Sequence, residues 1–138
     1  MSTVLFVCRA NRGRSVMSAA LFERAAGGRH RGLSAGSEAD PAGGAHPEVV
    51  AAMQELGIDV SAHRPRRLSV ALAEQADVVV TMGCGDACPF VPGVDYRDWE
   101  LPDPQGRPLA DVRATRDEIA RRVEALTREL DGGTGSPG

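Results

Sequence analysis

The chain contains no lysine; all 16 of its basic residues are arginine. Aromatic residues are scarce, with one Trp, one Tyr and three Phe in 138 residues, so only Tyr96, Trp99 and Phe90 stand out as candidates to line a slot for an aromatic substrate. No apolar run approaches the roughly 20 residues that a membrane-spanning helix needs. Nor does the chain open on a basic segment, an apolar stretch and a cleavage site. These absences point to the cytoplasm, away from membranes. The charges nearly cancel, at a formal net −3, which gives a nucleic-acid partner no electrostatic footing. No repeat and no linker divides the sequence. One domain with a single core is expected over residues 1–131, with a disordered Gly-rich tail over 132–138.

Cysteine is also rare. In a reducing compartment, Cys8, Cys84 and Cys88 read as catalytic or metal-binding thiols before they read as a structural disulfide. Two of the chain's apolar runs end on loops that carry them. The first, Thr3 to Val7, has no polar alternation and reads as a strand buried on both faces. It enters Cys8-Arg-Ala-Asn-Arg-Gly-Arg14, after which Met17, Leu21 and Phe22 mark a helix that should stop at Gly27-Gly28. The second, Ala76 to Gly83, runs into the Cys84–Cys88 loop.

Other elements are a short strand around Leu33 to Ala35, a loop over Glu38 to Ala45, and a helix carrying Val49, Val50, Met53 and Leu56 and ending at Gly57. A strand follows over Val94 to Leu101, and a last long helix carries Ile119, Val123, Leu126 and Leu130. Strands alternating with helices imply an α/β fold, a parallel sheet with helices on both faces. Ligands of such sheets bind at the carboxyl ends of the strands. The loops bearing Cys8, Cys84–Cys88 and Asp103 should therefore open on one edge.

The first loop is built for a negative charge. As a bare pattern C-x5-R is weak, but a loop between strand and helix can present backbone N–H groups of residues 9–14 (Arg9, Ala10, Asn11, Arg12, Gly13, Arg14) to a tetrahedral oxyanion, with the helix N-terminus behind them. Arg14 would add a planar bidentate clamp. The same setting favours the thiolate of Cys8, to which Ser15 can donate a hydrogen bond. A thiolate beneath an oxyanion is a nucleophile aimed at phosphorus or arsenic. Asp103 precedes a proline in "LPDPQG". From the residues alone, turn chemistry and a general acid for a departing oxygen are equally good readings.

The segments "VLFVCRANRGRS", "WELPDP" and "TMGCGDACP", with "SAGSEA" and "RDEIARRVEAL", resemble the low-molecular-weight tyrosine phosphatase superfamily across nearly the whole chain. Within it the chain is most similar to the thioredoxin-coupled arsenate reductases. The resemblance implies a three-layer fold with a four-stranded parallel sheet. It also implies Cys8 as nucleophile, Asn11 as loop organiser, Arg14 as oxyanion clamp, Ser15 as thiolate partner and Asp103 as general acid. One departure is Ala10, where relatives usually carry Gly or His. If Ala10 adopts a backbone conformation suited to Gly, it adds strain. Arg9 and Arg12 add charge that bears on anion choice.

The extra cysteines separate the superfamily's two chemistries. Ester hydrolysis needs one thiol; reducing arsenate needs an electron pair, which two thiols supply as they form a disulfide. The reading is therefore an arsenate reductase in which Cys8 attacks arsenate, Cys84 attacks Cys8, and Cys88 resolves the disulfide for thioredoxin or a low-molecular-weight thiol. A phosphatase acting on phosphotyrosine or small esters is the alternative, and a non-catalytic oxyanion-binding module a more distant one. No cofactor and no metal are expected: zinc would need a further ligand such as His46 or His63 beside Cys84 and Cys88. His30, His46 and His63 read as surface or loop residues.

Overall fold

The computed structural model describes residues 1–83 and 91–133. Its elements are β1 (Thr3–Cys8), α1 (Arg14–Ala26), β2 (Arg31–Gly36), α2 (Pro47–Gln54), α3 (Val70–Glu74), β3 (Val78–Thr81), β4 (Asp95–Asp98) and α4 (Leu109–Arg128), closed by a π-helical turn over Glu129–Gly133. The four strands form one sheet in the order β2-β1-β3-β4, every pair parallel. The expected fold class is present. Cys84 and Cys88, with Phe90, lie outside the described residues, as do positions 134–138 of the expected tail.

The continuous apolar run of β1 is explained by its central place. Val4, Phe6 and Cys8 pack with α1, α2 and α4, while Leu5 and Val7 pack on the opposite face with Leu72, Ala73 and Val79. Alternate side chains of one strand thus fill two separate cores, which is what makes the fold three-layered. Helix α1 stops where expected, at Gly27, whose left-handed φ of 56° returns its N–H to the Glu23 carbonyl.

Some elements differ from the sequence expectation. Strand β4 covers only Asp95–Asp98; the Trp99 N–H still donates to the Thr81 carbonyl at 2.9 Å, and its ring packs 5.8 Å from that of Phe6. Helix α3 escaped detection: five residues show no periodicity, and its clearest signal is Ser69, whose Oγ accepts the Leu72 N–H at 3.1 Å. Helix α4 begins at Leu109, well before Ile119, its buried stripe interrupted by Arg116.

Arg116 is buried because its guanidinium is matched. Nη1 donates to the Ala52 carbonyl at 2.8 Å and to Glu55 Oε1 at 2.7 Å, while Arg113 Nη2 reaches Glu55 Oε2 at 2.6 Å. Hydrogen bonds from Arg113 and then Arg116 hold the Glu55 carboxyl down to about 2. An unfolded glutamate titrates near 4.3, so this clamp should contribute stability fully above that pH and lose it as pH falls towards about 2. In denaturant titrations, Glu55→Gln should be less stable than wild type at pH 7, and the gap should narrow as pH falls below about 4 and close only once pH has passed below about 2. A gap that stayed constant would mean the charge of Glu55 does not join α2 to α4.

Candidate active site

All carbonyls but one of the segment from Cys8 to Arg14 are tied away from its concave side. The Cys8 carbonyl accepts from Ser37 N–H (3.1 Å), Arg9 from Glu38 N–H (2.7 Å), Asn11 from His63 Nε2 (2.8 Å), Arg12 from His46 N–H (3.0 Å) and Gly13 from Met17 N–H (3.0 Å). The Arg14 carbonyl accepts from Ser18 Oγ at 2.8 Å. By contrast, none of the backbone N–H groups from Arg9 to Arg14 donates to an acceptor among the described residues. Helix α1 starts here with Gly13 at its N-cap and no side-chain cap. The loop therefore offers a row of donors backed by the positive end of a helix, an anion nest by construction.

The nest lines a cavity of about 90 Å³ formed by Cys8, Arg9, Ala10, Arg12, Gly13, Arg14, His46, Asp103 and Gln105. Cys8 is 2% exposed at the end of β1. Its Sγ lies 2.9 Å from Ser15 Oγ, which in turn takes a hydrogen bond from Asn11 Nδ2 at 2.8 Å. Because Asn11 supplies that donor, the Ser15 hydroxyl hydrogen is available to the sulfur. Asn11 is the one non-glycine residue at positive φ among the described residues (56°), and its Oδ1 accepts the Arg66 N–H at 2.9 Å. Asn11 and Ser15 do not line the cavity; they fix it from behind.

Ala10 is not in the left-handed region, so the strain expected there is absent. The residue that carries the unusual backbone is its neighbour Asn11, a side chain that tolerates it.

The three arginines divide their work. Arg9 is on the rim, its side chain 65% exposed and Nε 3.6 Å from Glu38. Arg12 donates from Nε to the Gly44 carbonyl at 2.6 Å, pinning the following loop. Arg14 is mostly buried, with Nη1 3.4 Å from the Leu101 carbonyl and Nη2 3.7 Å from Asp103 Oδ2. Its Nε is buried and has no hydrogen-bond partner among the described residues. A buried guanidinium donor without a protein acceptor is costly.

Two glycines set these distances. A Cβ on Gly13 would stand 2.5 Å from Pro104 Cγ, so the Asp103-Pro104 turn rests directly on the nest. A Cβ on Gly83 would stand 2.7 Å from Arg14 Nη1, and Gly83 has φ 86°. Asp103 is thereby held at the cavity mouth, its Oδ1 capping the Gln105 N–H at 3.0 Å. Turn chemistry and placement at the site are both present in the same carboxylate.

The histidines, expected as surface or loop residues, lie in loops but not on the surface. His30 and His46 are 8% and 9% exposed. His30 bridges Ser2 N–H (3.0 Å) and Asp131 (2.8 Å). His63 is half-buried behind the nest, where burial lowers its pKa despite the Asn11 carbonyl. His46 is in the wall of the cavity. Of the candidate aromatics among the described residues, neither lines the cavity: Tyr96 packs under β3 and takes the Val91 N–H (2.8 Å), and Trp99 packs on Phe6. No group of three or more His, Cys, Asp or Glu that could hold a metal occurs among the described residues. No helix among them is long and apolar enough to cross a membrane.

A buried thiol under a strand–loop–helix anion nest, with an arginine and an aspartate over it, defines an oxyanion-handling α/β protein. The model of the low molecular weight phosphotyrosine protein phosphatase family matches residues 3–134, and the chain belongs to that family. A Halobacterium salinarum protein provisionally named an arsenate reductase is 41% identical over 131 residues, 91% of each chain. Among solved structures, a Corynebacterium glutamicum thioredoxin-dependent arsenate reductase superposes with TM-score 0.82 at 37% identity, covering 95% of this chain and 62% of that one. A low molecular weight protein tyrosine phosphatase from T. tengcongensis superposes with TM-score 0.84 at 27% identity, covering 94% and 99%.

Proposed function

We propose that this protein is a cytoplasmic arsenate reductase that uses Cys8 as nucleophile and Cys84 and Cys88 as the source of electrons. The observation that carries the reading is the Cys8 sulfur at the floor of a cavity of about 90 Å³, opposite Arg14 and Asp103. That is room for a few water-sized groups, at about 30 Å³ each, and suits an inorganic oxyanion. The arsenate reductases among its relatives support it too.

Arsenate, or phosphate or sulfate as its mimic, is held by the N–H groups from Arg9 to Arg14 and by the Arg14 guanidinium. The Cys8 thiolate, stabilised by the Ser15 hydroxyl, attacks arsenic. Asp103 protonates the departing hydroxide, which leaves as water, and a Cys8–arsenic(V) bond forms. The Cys84 thiolate then attacks Cys8 Sγ. The sulfur–arsenic bonding pair stays on arsenic, which leaves as arsenite, and a Cys8–Cys84 disulfide remains. Cys88 attacks Cys84, freeing the Cys8 thiolate, and thioredoxin or a low-molecular-weight thiol reduces the Cys84–Cys88 disulfide.

Arsenate turnover with thioredoxin and its reductase, compared with a low-molecular-weight thiol system, tests the reaction and identifies the reductant. Turnover with neither would remove the proposal. Asp103→Asn should slow the chemical step by about 10²–10⁴-fold while leaving oxyanion affinity nearly unchanged, since a general acid acts in the transition state. A single-turnover rate equal to wild type would take Asp103 out of the mechanism.

A second reading, hydrolysis of a phosphate ester, has the family's own description and the T. tengcongensis phosphatase behind it. It needs only Cys8, Arg14 and Asp103. Rapid hydrolysis of a small aryl phosphate without arsenate turnover would put it first.

A further inference from the structure

His46 occupies a place where two ordinary demands go unmet. It is the N-cap of α2, the position where Ser, Thr, Asp or Asn normally accepts a backbone N–H, yet its side chain makes no capping bond. It is also nine-tenths buried, yet its ring makes no hydrogen bond to any of the described residues. The ring is part of the wall of the Cys8 cavity, with Cδ2 3.5 Å from where a Gly13 Cβ would be, and its nitrogens are not among the fully buried polar atoms that lack a partner, which leaves them open to water or to a ligand in the cavity.

The placement is fixed by the chain around it. The segment from Glu38 to His46 is fastened to the anion nest by the Glu38 N–H on the Arg9 carbonyl, Arg12 Nε on the Gly44 carbonyl and the His46 N–H on the Arg12 carbonyl. Immediately after it, Pro47 starts α2, whose Val49, Ala52 and Met53 are buried in the core. The imidazole is therefore held from both sides of its own backbone.

Of the other groups lining the cavity, the loop N–H groups, Arg12 and Arg14 only donate, whereas Asp103 and Gln105, both from the loop after β4, can accept. Donors by themselves cannot distinguish a fully deprotonated tetrahedral anion from one carrying a hydroxyl. A neutral imidazole differs because one ring nitrogen accepts. We propose that His46 is a specificity-determining residue that accepts the hydroxyl of a protonated oxyanion, so that the cavity prefers arsenate and phosphate to sulfate. This rests on the oxyanion-site reading above and adds to it the choice among anions.

The surrounding charges keep that nitrogen available. Burial, then Arg12 from the nest, lower the pKa of His46, outweighing Asp103 from the loop after β4 and Glu48 from α2 itself. Cys8 and Arg14 face it across the cavity. Near pH 7 the ring is neutral and accepts; in acid it charges, becomes a donor only, and the preference should fade.

The test is protection of Cys8 from alkylation, read on the Cys8 peptide by mass spectrometry, with inorganic phosphate and sulfate as probes at pH 7.5 and pH 5. Wild type at pH 7.5 should be half-protected by about tenfold less phosphate than sulfate, the scale of one hydrogen bond to a charged group. His46→Leu, which fills the space without an acceptor, should lower that ratio several-fold at pH 7.5 and make it change less than the wild-type ratio between the two pH values. His46→Asn, which restores an acceptor and a strong N-cap, should keep much of the preference and guards against a folding defect. The change in phosphate's own protonation is common to all three proteins and cancels. The same phosphate-to-sulfate ratio in wild type and His46→Leu would overturn the assignment. Failure of both anions to protect wild-type Cys8 would overturn the oxyanion site itself, and this inference with it.

Discussion

Cys88→Ser should release one arsenite per enzyme and then stop, trapped as a Cys8–Cys84 disulfide visible by mass spectrometry. Cys84→Ser should release none through the relay, because no second thiol delivers the electron pair while the Cys8 sulfur is bound to arsenic. Both changes abolish thioredoxin-driven turnover, but at different points, and the trapped species tells them apart. Hydrolysis of a small aryl phosphate, if the protein has it, should survive both, since it uses only Cys8, Arg14 and Asp103. The relay requires Cys8 and Cys84 to bond with Cα atoms about 4.4–6.8 Å apart. Sustained turnover of Cys88→Ser with thioredoxin would falsify the three-thiol relay.

Arg14→Lys should cost about 10²–10³-fold in turnover, the scale of removing one preorganised oxyanion donor, even though the charge is retained. Lysine offers a point charge on a flexible stem, whereas arginine presents a rigid planar fork. The surroundings are cut to that fork. Gly83 leaves no Cβ beneath Nη1, the Leu101 carbonyl lies 3.4 Å from the same nitrogen, and Asp103 Oδ2 lies 3.7 Å from Nη2. The buried Nε would have no counterpart in lysine. Steady-state kinetics with arsenate, beside Cys8 protection by phosphate, would separate lost binding from lost catalysis. Near-wild-type turnover would mean that Arg14 is not the clamp.

The sequence alone determined the architecture and the nest. A short unbroken apolar run rich in β-branched and aromatic residues reads as a strand covered on both faces, and C-x5-R, weak as a bare pattern, gains its meaning from standing between that strand and a helix. Thus β1, α1, the Cys8 loop and the pairing of Ser15 with Cys8 were legible from neighbours within about ten positions. Loop motifs of this kind carry their geometry locally, in the backbone.

What only the tertiary structure decided depends on residues distant in sequence that meet at the sheet's edge. Asp103 could be a turn residue or a site residue until Pro104 was seen resting on Gly13. Sequence singles out Arg14 through C-x5-R and leaves Arg9 and Arg12 as added charge; burial and the partners Glu38, Gly44 and Leu101 set Arg9 on the rim, make Arg12 a loop pin and hold Arg14 in the cavity wall. His46 read as a surface or loop residue, and its loop place held, but a lone histidine before a proline has no periodicity to reveal that it turns inward. Its burial follows from Arg12 drawing residues 44–46 against the nest, a contact between parts of the chain more than thirty positions apart. Local pattern fixes which way a backbone runs, but long-range packing fixes which side chains face the anion.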